Sequence, residues 1–135
     1  MTFFGDFRLT RNGYFRLSLT ATNYPAFNFA LNYGETAGLT GTKYETGWYI
    51  PSVAELYDVY TNKEEVQTSL TAVGGFTIGT SYYRSSSQSA SSYNDAYQVL
   101  FSDGYVNDYY KYSRYYVLVV QAFNAELFNN YEYAE

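Results

Sequence analysis

The chain has 135 residues, a net charge of −5, 47% apolar residues and 22% aromatic ones, with no His and no Cys. Its eight basic residues are scattered and form no run that neutralises phosphates, which argues against a nucleic-acid partner and an anionic membrane surface. The missing His and Cys remove the commonest general base, thiolate nucleophiles and thiolate metal sites.

In chain order, residues 1–22 read as strands. Phe3, Phe4, Phe7 and Leu9 are apolar, Asn12-Gly13 is a hairpin signal, and Phe15–Thr20 alternates with period two. Asn23-Tyr24-Pro25 predicts a helix start, with Asn as cap and Pro in the first turn. A short helix over Ala26–Asn32 follows, ended by Gly34, and then a Gly- and Thr-rich loop to Gly47. Ser52 and Glu55 have capping-box spacing, so a second helix begins there with Val53, Leu56, Tyr57 and Tyr60 on one face. Trp48, the single Trp, is expected in the core, and Glu55 is explained by the cap. Asn62 is placed to cap a third helix from Lys63 to about Val73, terminated by Gly74-Gly75.

Residues 81–92 contain seven Ser and read as a loop. Tyr97–Phe101 alternates as a strand, Asp103-Gly104 is a two-residue hairpin signal, and Tyr105–Asn107 is the return strand. Residues 108–114 read as a polar, aromatic loop, and Tyr115–Phe123 as a final buried strand. Strands, then helices, then strands give an α+β class, two or more helices packed on a small antiparallel sheet, in a single domain over 1–135. The N-terminus has no long apolar core and does not resemble a secretory signal, so surface display would need another route, such as assembly into a virion. No apolar run approaches the roughly 18 residues that span a bilayer, so no membrane insertion is expected.

Catalytic chemistry finds little support. Three Lys are present, but none sits with a Ser in a recognisable nucleophile motif. Asp95, Asp103 and Asp108 are the nearest approach to paired carboxylates, and turn or loop roles explain them better. Asn94-Asp95 and Asn107-Asp108 offer oxygen ligands without calcium-loop spacing. The expectation is a non-enzyme without cofactor or metal.

What remains is the Tyr distribution, since ten of the nineteen Tyr fall between Tyr82 and Tyr116. Packing explains Tyr97 and Tyr116, which lie beside apolar alternation, but not Tyr109, Tyr110, Tyr112 and Tyr115 in one short polar stretch. Tyr and Ser together suit a binding surface. Tyr offers large contact area with few rotors to freeze, and Ser offers adaptable hydrogen bonds.

Four ordered motifs carry a family resemblance. Gly47–Leu56 (GWYIPSVAEL), Tyr83–Gln88 (YRSSSQ), Ala96–Gly104 (AYQVLFSDG) and Tyr116–Phe123 (YVLVVQAF) resemble the Lcl/DUF1566 family. With YPAFNFALNYG and TAGLTGTKY the resemblance covers about residues 24–123. Arg84 stands where the family has Trp, and Leu118 and Gln121 stand where it has Arg. The resemblance implies a C-type-lectin-like fold, related to formylglycine-generating enzymes and to the variable proteins of diversity-generating retroelements. The enzyme branch uses cysteines, which this chain lacks.

In the retroelement branch, adenines of template codons are replaced at random. A diversified Asn codon then yields Tyr, Ser, Asp, Arg, Leu or Asn among others, but never Gln, Lys, Trp or Glu. The implied variable surface lies in about 82–116. Its candidate contacts are Arg84, Tyr93, Asn94, Asp95, Leu100, Tyr105, Asn107, Asp108, Tyr109, Tyr110, Tyr112, Ser113, Arg114 and Tyr115, all expected to be solvent-accessible. Gln88, Gln98 and Lys111 fall outside the codon set and read as fixed scaffold. The implied function is recognition of a protein or glycan ligand. The alternative is a constant structural or adhesion domain of the same fold.

Overall fold

The structure, a computed structural model, describes residues 24–122. The strands expected over 1–22, Asn23 and the end of the chain beyond Ala122 lie outside the described residues. The described part is α+β, with short helices on small antiparallel sheets.

Helix α1 spans Pro25–Leu31, where Pro opens the helix without wasting an N–H. Phe27 and Ala30, three apart, form its buried face. The chain does not leave the helical conformation at Gly34 but makes a short helix α2, Tyr33–Thr36. Gly34 is required there because Glu45 crosses it: a Cβ would lie 1.8 Å from the Glu45 carbonyl oxygen.

Strand β1 is Trp48–Tyr49. Trp48 is half-buried and not the core residue expected. Its Nε1 donates to Tyr44 O at 2.7 Å, and its ring meets Tyr33 edge-on at 4.8 Å. The polar edge of the indole thus stays at the surface, where its N–H is satisfied.

Helix α3, Val53–Thr61, starts on a complete capping box between Ser52 and Glu55. Leu56 is fully buried, with Val53, Val59 and Tyr60 packed around the same cluster. Tyr57 turns outward, contrary to the expected face. Helix α4, Lys63–Ala72, buries no residue fully, and Asn62 precedes it without a side-chain cap. Gly74, at φ +70°, ends it, and Gly75 N returns to Leu70 O at 2.7 Å.

The Ser-rich segment is a loop only in its second part, from Ser89 on. Tyr82–Gln88 forms strand β2, paired to β3 (Asp95–Leu100) through Tyr82↔Leu100, Tyr83↔Val99 and Arg84↔Gln98, with a bulge before Gln88↔Ala96. Serines favour loops because their hydroxyls compete with backbone partners. Here two of those hydroxyls have fixed tasks. Ser85 Oγ donates to Tyr97 O at 2.7 Å, and Ser87 Oγ accepts from Val53 N at 2.8 Å, which fastens β2 to the start of α3. Small side chains also let Pro51 approach the strand, with Ser86 N donating to Pro51 O at 2.8 Å.

Strand β4, Val106–Tyr110, completes an antiparallel sheet in the order β2-β3-β4. The Asp103-Gly104 turn is present, but the connection is longer than two residues: Leu100 N pairs with Tyr105 O, leaving four residues between them. Gly104 sits at φ +82°, and a Cβ there would lie 2.5 Å from the Tyr60 ring, so only Gly closes this turn. The return strand runs on through Tyr110, three residues beyond expectation, because Tyr97↔Asp108, Ala96↔Tyr109 and Asp95↔Tyr110 continue the ladder.

The final strand expected over Tyr115–Phe123 is mostly irregular among the described residues. Tyr116 makes a single parallel bridge to Tyr83, and only Val120–Gln121 (β5) is a strand, paired to β1 in a second, two-stranded sheet. The central strand is β3. The Val-rich run reads as a buried strand by hydrophobicity, yet its core contribution is mainly Leu118. Among the described residues two clusters form the core: Phe27, Ala30, Ile50 and Ala96, and then Leu56, Tyr83, Val99, Phe101 and Leu118.

Candidate ligand-binding surface

Among the described residues β4 is the outer strand of its sheet, paired to β3 alone. Side chains alternate along it, so Asn107 and Tyr109 lie on one face and Asp108 and Tyr110 on the other. Tyr109, Tyr110 and Tyr112 are 43%, 45% and 57% exposed. Their rings nevertheless touch. Tyr109 meets Tyr110 at 5.2 Å and Tyr115 at 5.8 Å, Tyr110 stacks on Tyr112 at 5.1 Å and 11°, and Tyr82 meets Tyr115 at 6.1 Å. Five rings therefore make one connected patch, running Tyr82–Tyr115–Tyr109–Tyr110–Tyr112. Tyr82 was not among the sequence candidates. A strand reading of Tyr82-Tyr83-Arg84 would have found it, because period two puts Tyr82 and Arg84 on one face.

The other candidates fall around this patch unevenly. Tyr93 and Asn94 are exposed beside its Tyr110 end, where Lys111 N donates to Asn94 O at 2.9 Å. Arg114 is exposed, and half-buried Ser113 donates its N–H to Tyr110 O at 3.0 Å. Tyr105 is exposed and Leu100 half-buried, both at the far end of the β3–β4 hairpin. Asp95, Asn107 and Asp108 are half-buried, and Asp95 Oδ1 and Asn107 Oδ1 are buried without a hydrogen-bond partner.

Arg84 is a correction. Expected at the surface, it is 2% exposed. Its Nη1 donates to Ala96 O and Tyr109 O, both at 3.0 Å, and its Nη2 to Tyr110 O at 2.8 Å. The guanidinium lies 5.0 Å from the Tyr115 ring centroid. Burial pushes its pKa down from the ordinary arginine value, while Tyr115 and Asp95 oppose that shift. A guanidinium remains charged under such conditions.

The residues set aside as scaffold behave differently from the tyrosines between them. Gln98 is 1% exposed. Lys111 Nζ donates to Gln88 Oε1 at 3.1 Å, joining the turn after β4 to the end of β2.

The Asp108 side chain lies on the opposite face of β4 from the Tyr109 ring. Its Oδ2 accepts from Ser89 Oγ in a short bond and from Ser91 Oγ at 3.1 Å. The Ser89 bond, aided by Ser91, holds its carboxyl below the usual range, with burial opposing. A carboxyl with a depressed folded pKa adds stability above its unfolded value, about 3.9, and that stability is lost as pH falls through the folded value. Asp108→Asn should therefore melt below the wild type at about pH 6, and the gap should close as the pH falls through the depressed folded pKa of Asp108. Thermal melts across that range check this, and a constant offset at every pH would show that the carboxylate's charge is not what the serines stabilise.

Among the described residues no cluster of three or more acidic side chains is placed to hold a metal ion, and no helix is long and apolar enough to cross a membrane. Comparison with protein-family models, curated proteins and solved structures found no match to this chain.

Proposed function

We propose that the chain is a non-enzymatic display domain of C-type-lectin-like architecture, related to the Lcl/DUF1566 group and to the variable proteins of diversity-generating retroelements. Its β4 strand and the turn after it present tyrosines to a protein or glycan ligand. The observation that carries this is the division of labour within residues 82–116. Tyr109, Tyr110 and Tyr112 are exposed and touch other rings of the patch, while Gln98 is buried and Lys111 is bonded to Gln88.

The binding mechanism follows from tyrosine itself. Each ring buries large area on contact while few rotors are frozen, and the hydroxyl finds a polar partner at the rim. Mutual ring contacts hold the patch partly pre-formed, which lowers the ordering cost of association.

Sequencing the gene from many related isolates, with its flanking DNA, tests diversification. Substitutions should concentrate in the codons for the exposed positions, Tyr109, Tyr110 and Tyr112 foremost, leave Gln88, Gln98 and Lys111 constant, and match a nearby template repeat. Substitutions spread evenly along the gene, with no template, would make this a constant adhesion domain.

A further inference from the structure

Arg84 has the geometry of a brace. A guanidinium presents five N–H donors in one plane. Three hydrogen bonds from Arg84 end on backbone carbonyls: Ala96 O on the central strand, and Tyr109 O and Tyr110 O on the edge strand. A carbonyl carries no information about its residue's side chain. The same group lies over the ring of Tyr115, 5.0 Å from its centroid, and that ring in turn touches Tyr82 and Tyr109.

The choice of a cation here is costly for stability alone. Burying a charge is unfavourable, and here the Asp95 carboxylate favours the cation without accepting a hydrogen bond from it; apolar residues of similar volume commonly serve a core as well or better. Arg84's acceptors among the described residues are all carbonyls, and its Nε has no partner. What the cation provides, and an apolar side chain does not, is a hold on a strand laddered to β3 on one side.

We propose that Arg84 is the positioning residue of the display strand. It fixes β4 and the Tyr115 ring through contacts that survive any change of side chain at 109 and 110. The purpose of the brace rests on the display reading above; its physical action does not. Lysine cannot replace it, because one ammonium lacks the planar fork that reaches carbonyls on two strands.

Amide hydrogen exchange on the free, full-length protein tests this without any ligand. The readout is the ratio of exchange rates in β4 (Val106–Tyr110) to those in α3 (Val53–Thr61), which cancels any global loss of stability. Arg84→Lys and Arg84→Met should each raise that ratio by about tenfold or more and shift the Tyr115 ring signals. The double variant Tyr109→Ser, Tyr110→Ser should leave the ratio within about twofold of wild type. Equal acceleration in both helix and strand overturns the proposal. So does a double Tyr variant that frays β4 as much as the Arg84 variants do, or failure of both Arg84 variants to fold. Loss of ligand capture by the Tyr variant with an unchanged exchange ratio would leave display and brace standing separately. A brace without any capture would remove display alone.

Discussion

Replacing Tyr109, Tyr110 and Tyr112 together by Ser should weaken ligand capture by about 100-fold or more while the domain stays folded. The three rings are exposed, and their contacts are with other rings of the patch rather than with either core cluster. Exposed substitutions of this kind change stability by about 0.5 kcal/mol each, so the melting temperature should fall by only a few degrees. Binding differs because a few aromatic anchors usually supply most of an interface's energy, at about 2 kcal/mol or more apiece. Wild type and variant, compared on one array of glycans and surface proteins, give the ratio. A variant that unfolds would instead show the patch to be part of the core.

Leu56→Ala should be the opposite case, with a large loss of stability and no direct effect on the patch. Leu56 is 0% exposed and sits in one cluster with Tyr83, Val99, Phe101 and Leu118. Truncation removes apolar burial and leaves a cavity between α3 and the sheet. The cost should be about 3 kcal/mol, lowering the melting temperature by roughly 10 °C. Tyr57→Ala, one residue further on the same helix but exposed, should cost about 1 kcal/mol or less. Chemical denaturation of the two variants checks the contrast, and equal losses would mean that the helix face has been misassigned.

The helices were legible because their signals are local. Pro25 at a first turn, Ser52 with Glu55 as a capping box, and Gly74 at a C-terminus each act within a few residues. The Asp103-Gly104 turn was legible for the same reason, although its length was not, since that depends on Tyr60 packing beneath it. Strand β2 was missed because Ser85 and Ser87 spend their hydroxyls on Tyr97 O and Val53 N, partners 12 and 34 residues away. The place of the last strand was missed because a Val run reports burial and not which sheet receives it.

For the surface, composition located the exposed tyrosines of β4 but mistook Arg84 for one of their neighbours. The family resemblance puts Arg84 on the variable surface, whereas its acceptors, 12 to 26 residues away in sequence, draw it inside. Tyr82 was overlooked because its strand had been read as a loop.

The most direct measurement is a hydrogen-exchange footprint of the protein bound to a ligand captured from the array. Protection should appear in residues 105–115, on β4 and the turn after it, and α4 should exchange as in the free protein. Protection confined to α4, or spread without preference for the tyrosine patch, would contradict a display surface on this edge of the sheet.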